Sequence, residues 1–318
     1  MARSISPLIE RLLRKFGFGF DKRPQSYEVV YDVTLQNRLR ESQRVTLILP
    51  CPSETDRQKL LVNVHFEPEM KIRREPLFGN SYAYAEFDLG AEPVHVRQTF
   101  RIAVNPVNMS QIPSFTMGAY KNLERHFAPY LESNRFINVT NEMCELARKI
   151  VGNEQDVMKM IKKLNEFVIE RLRYGKPISG LYAAQDALDK AEVDCGGFDS
   201  LFCSLAIALG IPSRIVFGFW AGDEYGEMHA WAESLLPDGR WVSVDPSVEY
   251  LRQRRRTQRL GGVGRLGSDR IVMSRGCDYD LQIGERVVRC DILQNPILRA
   301  KKGMQFIEMT SIVSSERI

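Results

Sequence analysis

The apolar residues of this chain change their period part-way along. Between Ser26 and Val107 they alternate, first as Tyr27, Val29, Tyr31, Val33 and Leu35, then as Val45, Leu47 and Leu49. Val62, Val64 and Phe66 continue the pattern, and Val94, Val96, Phe100, Ile102 and Val104 close it. A period of two fits strands with one buried face, and several short strands with turns between them fit an antiparallel sandwich. Gly79-Asn80 supplies a hairpin turn before the strand that ends at Leu89. From Thr140 the spacing lengthens to three and four. Met143, Leu146 and Ile150 mark one helix capped by Thr140 or Asn141, and Met158, Ile161, Leu164, Val168 and Leu172 mark a second over about 154–173. Strands first and helices afterwards make an α+β chain. We expect a β-sandwich domain at 26–107, a linker at 108–137 containing Pro113 and Pro129, and a second domain at 138–318. Ahead of these, 1–25 reads as a short amphipathic helix over 7–16 and a connecting segment, with Leu8, Ile9, Leu12, Leu13 and Phe16 on its apolar side.

Composition narrows the class without choosing a function. The 318 residues are 44% hydrophobic and 26% charged, as in ordinary globular proteins, and a net charge of +4 does not imply a nucleic-acid partner. No apolar run is long enough to span a bilayer, and the first residues lack the apolar core of a secretory signal. Six cysteines at 51, 144, 195, 203, 277 and 290 form no CxxC pair, which argues against zinc and against a disulfide scaffold. No cofactor is implied, and a reducing, cytoplasmic setting is expected.

Three short stretches carry the chemistry: Asp-Cys-Gly-Gly-Phe at 194–198, Met-His-Ala-Trp-Ala-Glu at 228–233, and Val-Asp-Pro-Ser at 244–247. Cys195 opens a helix that stops at Leu209, because Gly210 suits a left-handed cap and Pro212 cannot continue the ladder. Its place in the first turn gives the sulfur unpaired N–H groups and the positive end of the helix dipole. Those N–H groups also suit an oxyanion, and Gly196 and Gly197 leave room for a substrate backbone. Cys203, inside the same helix without a polar neighbour, reads as an inert core residue. His65 and His95 lie in strands of the N-terminal region and read as packed or surface residues.

Pro237-Asp238-Gly239 turns a hairpin between the strand carrying His229 and the strand carrying Asp245. Centred on Asp238, the register sets Trp231 opposite Asp245 and puts His229 and Asp245 on one face as diagonal neighbours, roughly 7–8 Å apart at the backbone. Centred on Pro237, it sets them directly opposite. A slip by one residue would send them to different faces.

Asp-Cys with Phe at +3, Gly-Ile-Pro-Ser-Arg at 210–214, His-Ala-Trp-Ala-Glu at 229–233 and Gly-Arg-Trp-Val-Ser-Val-Asp-Pro at 239–246 resemble the transglutaminase-like core, a papain-related superfamily. The resemblance runs from about Asn138 to Pro246, and the strand-rich region before it resembles the β-sandwich of many bacterial members. It implies a helix bearing the cysteine packed on an antiparallel sheet, with Cys195 as nucleophile, His229 as base and acid, and Asp245 as the orienting carboxylate. Candidates for the oxyanion or substrate contacts are Tyr174, Tyr182, Gln185, Gly196 and Trp231. The sequence departs from the family at Val193, where glycine is usual two places before the cysteine. It also lacks the acidic calcium cluster of animal transglutaminases and the zinc-binding cysteine pairs of the peptide N-glycanase branch.

The expected activity is cysteine-dependent acyl transfer from a peptide, protein or small amide through a thioester. Water as acceptor makes a peptidase or amidase, the reading favoured here, since no feature marks a dedicated amine site; an amine acceptor makes a crosslinking transglutaminase. The alternative from another class is a binding or scaffold protein that keeps the fold. The basic stretch from Arg252 to Arg265 is the only hint of nucleic acid, and without interleaved aromatics it reads as a solvated loop.

Overall fold

The computed structural model describes residues 22–39, 41–109, 113–122, 125–222, 226–300 and 303–318. The helix expected over 7–16 lies outside them. The strands of the first part are β1 (Gln25–Asn37), β2 (Gln43–Pro50), β3 (Gln58–Glu67), β4 (Lys71–Arg74), β5 (Ser81–Leu89) and β6 (Val94–Val104). Helices α1 (Asn141–Val151), α2 (Val157–Arg171), α3 (Ala184–Lys190) and α4 (Cys195–Ala208) follow, then β7 (Ser213–Trp220), β8 (Met228–Leu235), β9 (Trp241–Asp245) and α5 (Pro246–Gln253). The chain ends with β10 (Arg270–Arg275), β11 (Tyr279–Ile283), β12 (Arg286–Cys290), β13 (Ile297–Ala300) and β14 (Ile307–Arg317). The α+β class expected from the change of period is what the chain adopts.

Two compact units emerge, and their boundaries differ from the sequence reading. One comprises Gln25–Asn105, Phe217–Met228 and Asp269–Ile318; the other includes Pro106–Val216 and His229–Ser268. The first is a sandwich of two four-stranded sheets, ordered β14-β1-β6-β3 and β13-β2-β5-β4. Alternation along β1 turns Tyr27, Val29, Tyr31, Val33 and Leu35 inward, where they meet Val45, Leu47 and Leu49 of β2 in one apolar core. Residues 269–318 therefore do not belong to the domain that was drawn from 138 to the end. β14 pairs along β1 from Asn37↔Ile307 to Tyr27↔Arg317, and β13 pairs with β2. A long antiparallel ladder satisfies the free edge of β1, which an independent C-terminal domain would leave open.

In the other unit, α1, α2, α3 and α5 pack around α4. Three of the four helices that precede the sheet begin where capping predicts: Thr140 and Asp156 accept from the third residue beyond, and Asp194 accepts from Gly197. Gly196 to Ile207 of α4 are all buried, so this helix is the axis of the unit. The stretch read as a linker forms two 3-10 turns, Met117–Asn122 and Arg125–Leu131, and Tyr120 donates to the Leu235 carbonyl at 2.5 Å. It thus packs as part of this unit.

The strands β7, β8 and β9 lie in that order, with Gly262–Val263 beyond β9. A buried ion pair fixes them: Arg214 Nε and Nη2 reach Glu233 Oε2 at 2.9 and 2.7 Å, and the guanidinium lies 3.6 Å from the Trp241 ring centroid. Two charge-assisted bonds and a cation–π contact across three strands leave the sheet little freedom to slip. Among the described residues no helix is long and apolar enough to cross a membrane.

Candidate functional site

Cys195 is the first residue of α4 because Asp194 caps it. Asp194 Oδ1 accepts from the Gly197 N–H at 3.2 Å, and Oδ2 accepts from the Ile178 N–H at 3.1 Å, tying the loop after Gly175 to the helix start. Val193 packs against the same turn: a β-carbon on Gly197 would lie 2.6 Å from Val193 Cβ. Val193 stands where the resemblance led us to expect glycine, and Gly197 provides the space. Gly197→Ala is accordingly expected to destabilise the fold by about 1–2 kcal/mol, overpacking outweighing the better helix propensity of alanine. A urea midpoint equal to or above that of the natural chain would refute that reading.

The hairpin register is the one centred on Asp238. Ala232 pairs with Val244 and Glu233 with Ser243, so His229, Trp231 and Glu233 share a face with Trp241, Ser243 and Asp245. His229 Nε2 lies 2.9 Å from Asp245 Oδ2, and both side chains are buried. Asp245 does a second job, since it caps α5: its Oδ1 accepts from the Val248 N–H at 3.0 Å and from Ser247 Oγ at 3.2 Å. Both carboxylate oxygens are therefore held, and the imidazole edge toward Asp245 is fixed. Helix α5 follows Asp245 directly and takes in Arg252, the first residue of the stretch read as a loop. Asp at the cap followed by Pro246 in the first turn was the signal for it.

Sheet and helix meet at the sulfur. The Ala230 N–H, next to His229 on β8, donates to Cys195. Burial nonetheless pushes the thiol up, and the charges of Asp194 and Asp245 push it further. A helix N-terminus stabilises an anion by about 0.3–1 kcal/mol, whereas burial shifts a titrating group by up to several pKa units. Desolvation wins, so the resting sulfur is a thiol rather than the thiolate expected from its helix position.

Residues 145–246 match the model of the Transglutaminase-like superfamily. The chain carries a transglutaminase-like core. A candidate cysteine protease from Cytophaga hutchinsonii has the same fold, at TM-score 0.63 and 14% identity over 93% of this chain and 91% of that one. The periplasmic domain of TgpA from Pseudomonas aeruginosa, bound to ethylmercury, aligns at TM-score 0.39 and 14% identity over 80% of this chain and 98% of that one. No curated protein matches the chain.

Around the transglutaminase-like core the further candidates separate by what their polar atoms already do. Tyr182 donates its hydroxyl to the Lys176 carbonyl, and Gln185 gives its amide to Asp189 on α3. Gly196 directs its N–H at the Asp194 carboxylate. Tyr174 lays its ring against Phe198, with 6.3 Å between centroids. Trp231 differs: it is fully buried, stacks on the His229 ring at 6.1 Å, and its indole N–H meets no acceptor. A residue absent from the sequence reading also belongs here. Asp199, one turn beyond Cys195, is completely buried. The signal was a lone acid among the apolar residues of α4. The arginines after α5 begin inside it at Arg252, and Arg254 folds back over the Tyr250 ring at 3.7 Å.

Proposed function

We propose that this protein is a cysteine-dependent acyl-transfer enzyme that hydrolyses an amide through a thioester on Cys195. The observation that carries the reading is the meeting of β8 with α4: Ala230 touches the Cys195 sulfur while its neighbour His229 is held by Asp245 at 2.9 Å. In this scheme the sulfur attacks the carbonyl carbon as its proton passes to His229. The tetrahedral intermediate collapses, His229 gives the proton to the departing amine, and the acyl group remains on sulfur. Water then attacks the thioester with His229 taking its proton, and that proton returns to the sulfur as the acid leaves. Asp245 keeps the imidazole in the tautomer that presents Nδ1 to the thiol. Trp231, with an unused donor beside the imidazole, is our candidate among the five for a contact to the substrate.

Peptides, proteins or small amides are the substrate class, with water as the acceptor. The Cytophaga hutchinsonii protein of the same fold is described as a candidate protease, in keeping with that choice. Cysteines that are all free favour a reducing compartment such as the cytoplasm. The deciding experiment is a peptide-hydrolysis screen run beside incorporation of a labelled amine, with Cys195→Ala as control. Hydrolysis lost in the variant supports the proposal. Amine incorporation without hydrolysis would replace water by an amine, and identical blanks for both proteins would leave only a binding role.

A further inference from the structure

Asp199 is a buried acid for which the scheme above has no use. It follows Cys195 by four residues on α4, so both side chains lie on one face, and helical side chains lean toward the N-terminus, which turns Asp199 back toward the sulfur. It is completely buried, and among the described residues no donor reaches either carboxyl oxygen. A carboxylate in that position would have neither a hydrogen bond nor a cation to offset its lost hydration.

The charges around it make ionisation worse. Asp245 at the cap of α5 and Asp194 at the cap of α4 both act on it. An ionised Asp199 would in turn be the charge acting most strongly on Cys195. The other ionisable group of the site is His229, from β8. Helices α1 and α3 bury only apolar residues, among them Met143, Ala147, Ala184 and Ala187. Helix α2 turns in Asn165, whose amide is spent on Glu249 of α5 at 2.8 Å. None of the residues those helices bury offers Asp199 a counter-charge.

We propose that Asp199 is a positioning residue of the thiol site, a carboxylic acid that keeps its proton behind Cys195 so that Asp245 is the only fully buried carboxylate beside the sulfur. The role rests on the acyl-transfer reading, because it matters only if the sulfur must pass its proton to His229. A second buried negative charge would oppose the anion forming on sulfur; a neutral acid of the same shape does not. Burial and both aspartates raise Asp199 well above the usual carboxylate range, in keeping with this.

Proton linkage provides a test that needs no substrate. Unfolded, Asp199 ionises near pH 4, whereas folded it stays protonated to a much higher pH. Between those limits the folded state holds one more proton, so stability is greatest at low pH and falls as pH rises. Asp199→Asn cannot titrate and removes that dependence. Chemical unfolding of the full chain from pH 4.5 to 7.5 should therefore show the ratio of natural to variant unfolding constants rising about tenfold per pH unit. In parallel, iodoacetamide labelling of Cys195, read by mass spectrometry, should fall in the natural protein relative to Asp199→Asn at alkaline pH, where the acid finally ionises. Parallel unfolding curves would overturn the proposal. So would a Cys195 midpoint lowered by a full pH unit throughout in Asp199→Asn, the mark of a lost carboxylate. If Asp199→Asn does not fold, infrared spectra of the natural protein and of Asp199→Ser at pH 7 decide: a protonated-carboxyl stretch lost in the variant sustains the proposal, and its absence from the natural protein ends it. The unfolding result stands apart from enzymatic turnover, so failure of the acyl-transfer reading would be recognised separately.

Discussion

Cys195→Ala is expected to lower kcat/KM for hydrolysis by at least about 10⁴-fold, with His229→Ala within about tenfold of it and the double variant no lower. The reason lies in the state of the sulfur. Burial and the charges of Asp194 and Asp245 hold the resting thiol protonated, while the Ala230 N–H favours the anion. A neutral thiol cannot attack a carbonyl usefully until a base takes its proton, and His229, fixed against Asp245, is the base at hand. Sulfur and imidazole thus act as one unit, and removing either removes the same contribution. The pH dependence follows with a definite sign. In His229→Ala the thiolate fraction must come from solution titration of a raised thiol, so labelling of Cys195 should climb about tenfold per pH unit across neutrality, without a plateau in the ordinary thiol range near pH 8.5. Losses that multiply in the double variant, or labelling that levels off near pH 7, would show that the two side chains do not work together.

Local chemistry was the legible part of the sequence. The start of α4 follows from Asp194 and its end from Gly210, which adopts φ 82°. The β8–β9 register follows from Asp238-Gly239, because a tight turn leaves its strands few ways to pair. These features depend on residues a few places apart, so the pattern contains the answer. What escaped was either distant or overruled. Tyr27 pairs with Arg317, and nothing near either residue announces the other, so the C-terminal strands were assigned to the neighbouring domain. Helix α5 was hidden because Asp-Pro-Ser suits a turn as well as a helix start, and the burial of Val248 and Tyr250 decides between them.

The sulfur shows the same limit on a smaller scale. A cysteine at a helix N-terminus is correctly read as sitting in a favourable dipole, yet the sign of its shift depends on what covers it. Three carboxyl groups drawn from two helix caps and the interior of α4 surround it, and only the fold brings Asp245 to the other two. Asp199 was visible as a letter throughout. Its meaning required knowing that no donor comes within reach.

Asp245→Asn should separate the two duties of Asp245. Asparagine ranks with aspartate at N-caps, so its side-chain oxygen can still receive the Val248 N–H and the Ser247 hydroxyl, now 3.0 and 3.2 Å from Oδ1. The loss should fall on His229, whose Nε2 would face an amide in place of a carboxylate, with no anion to fix its tautomer or offset its charge. The expected result is a fall in kcat of about 10⁴-fold with stability changed by under about 1 kcal/mol. Asp245→Ala should match that loss of activity and also destabilise the fold by about 2–4 kcal/mol. The missing cap contributes about 1 kcal/mol of that, and the buried Ser247 and His229 groups left without a partner contribute the rest. Urea unfolding beside initial-rate kinetics reads both effects. Equal destabilisation by Asn and Ala would mean that the charge itself holds α5. Activity retained within tenfold in Asp245→Asn would mean that His229 is oriented by something other than Asp245.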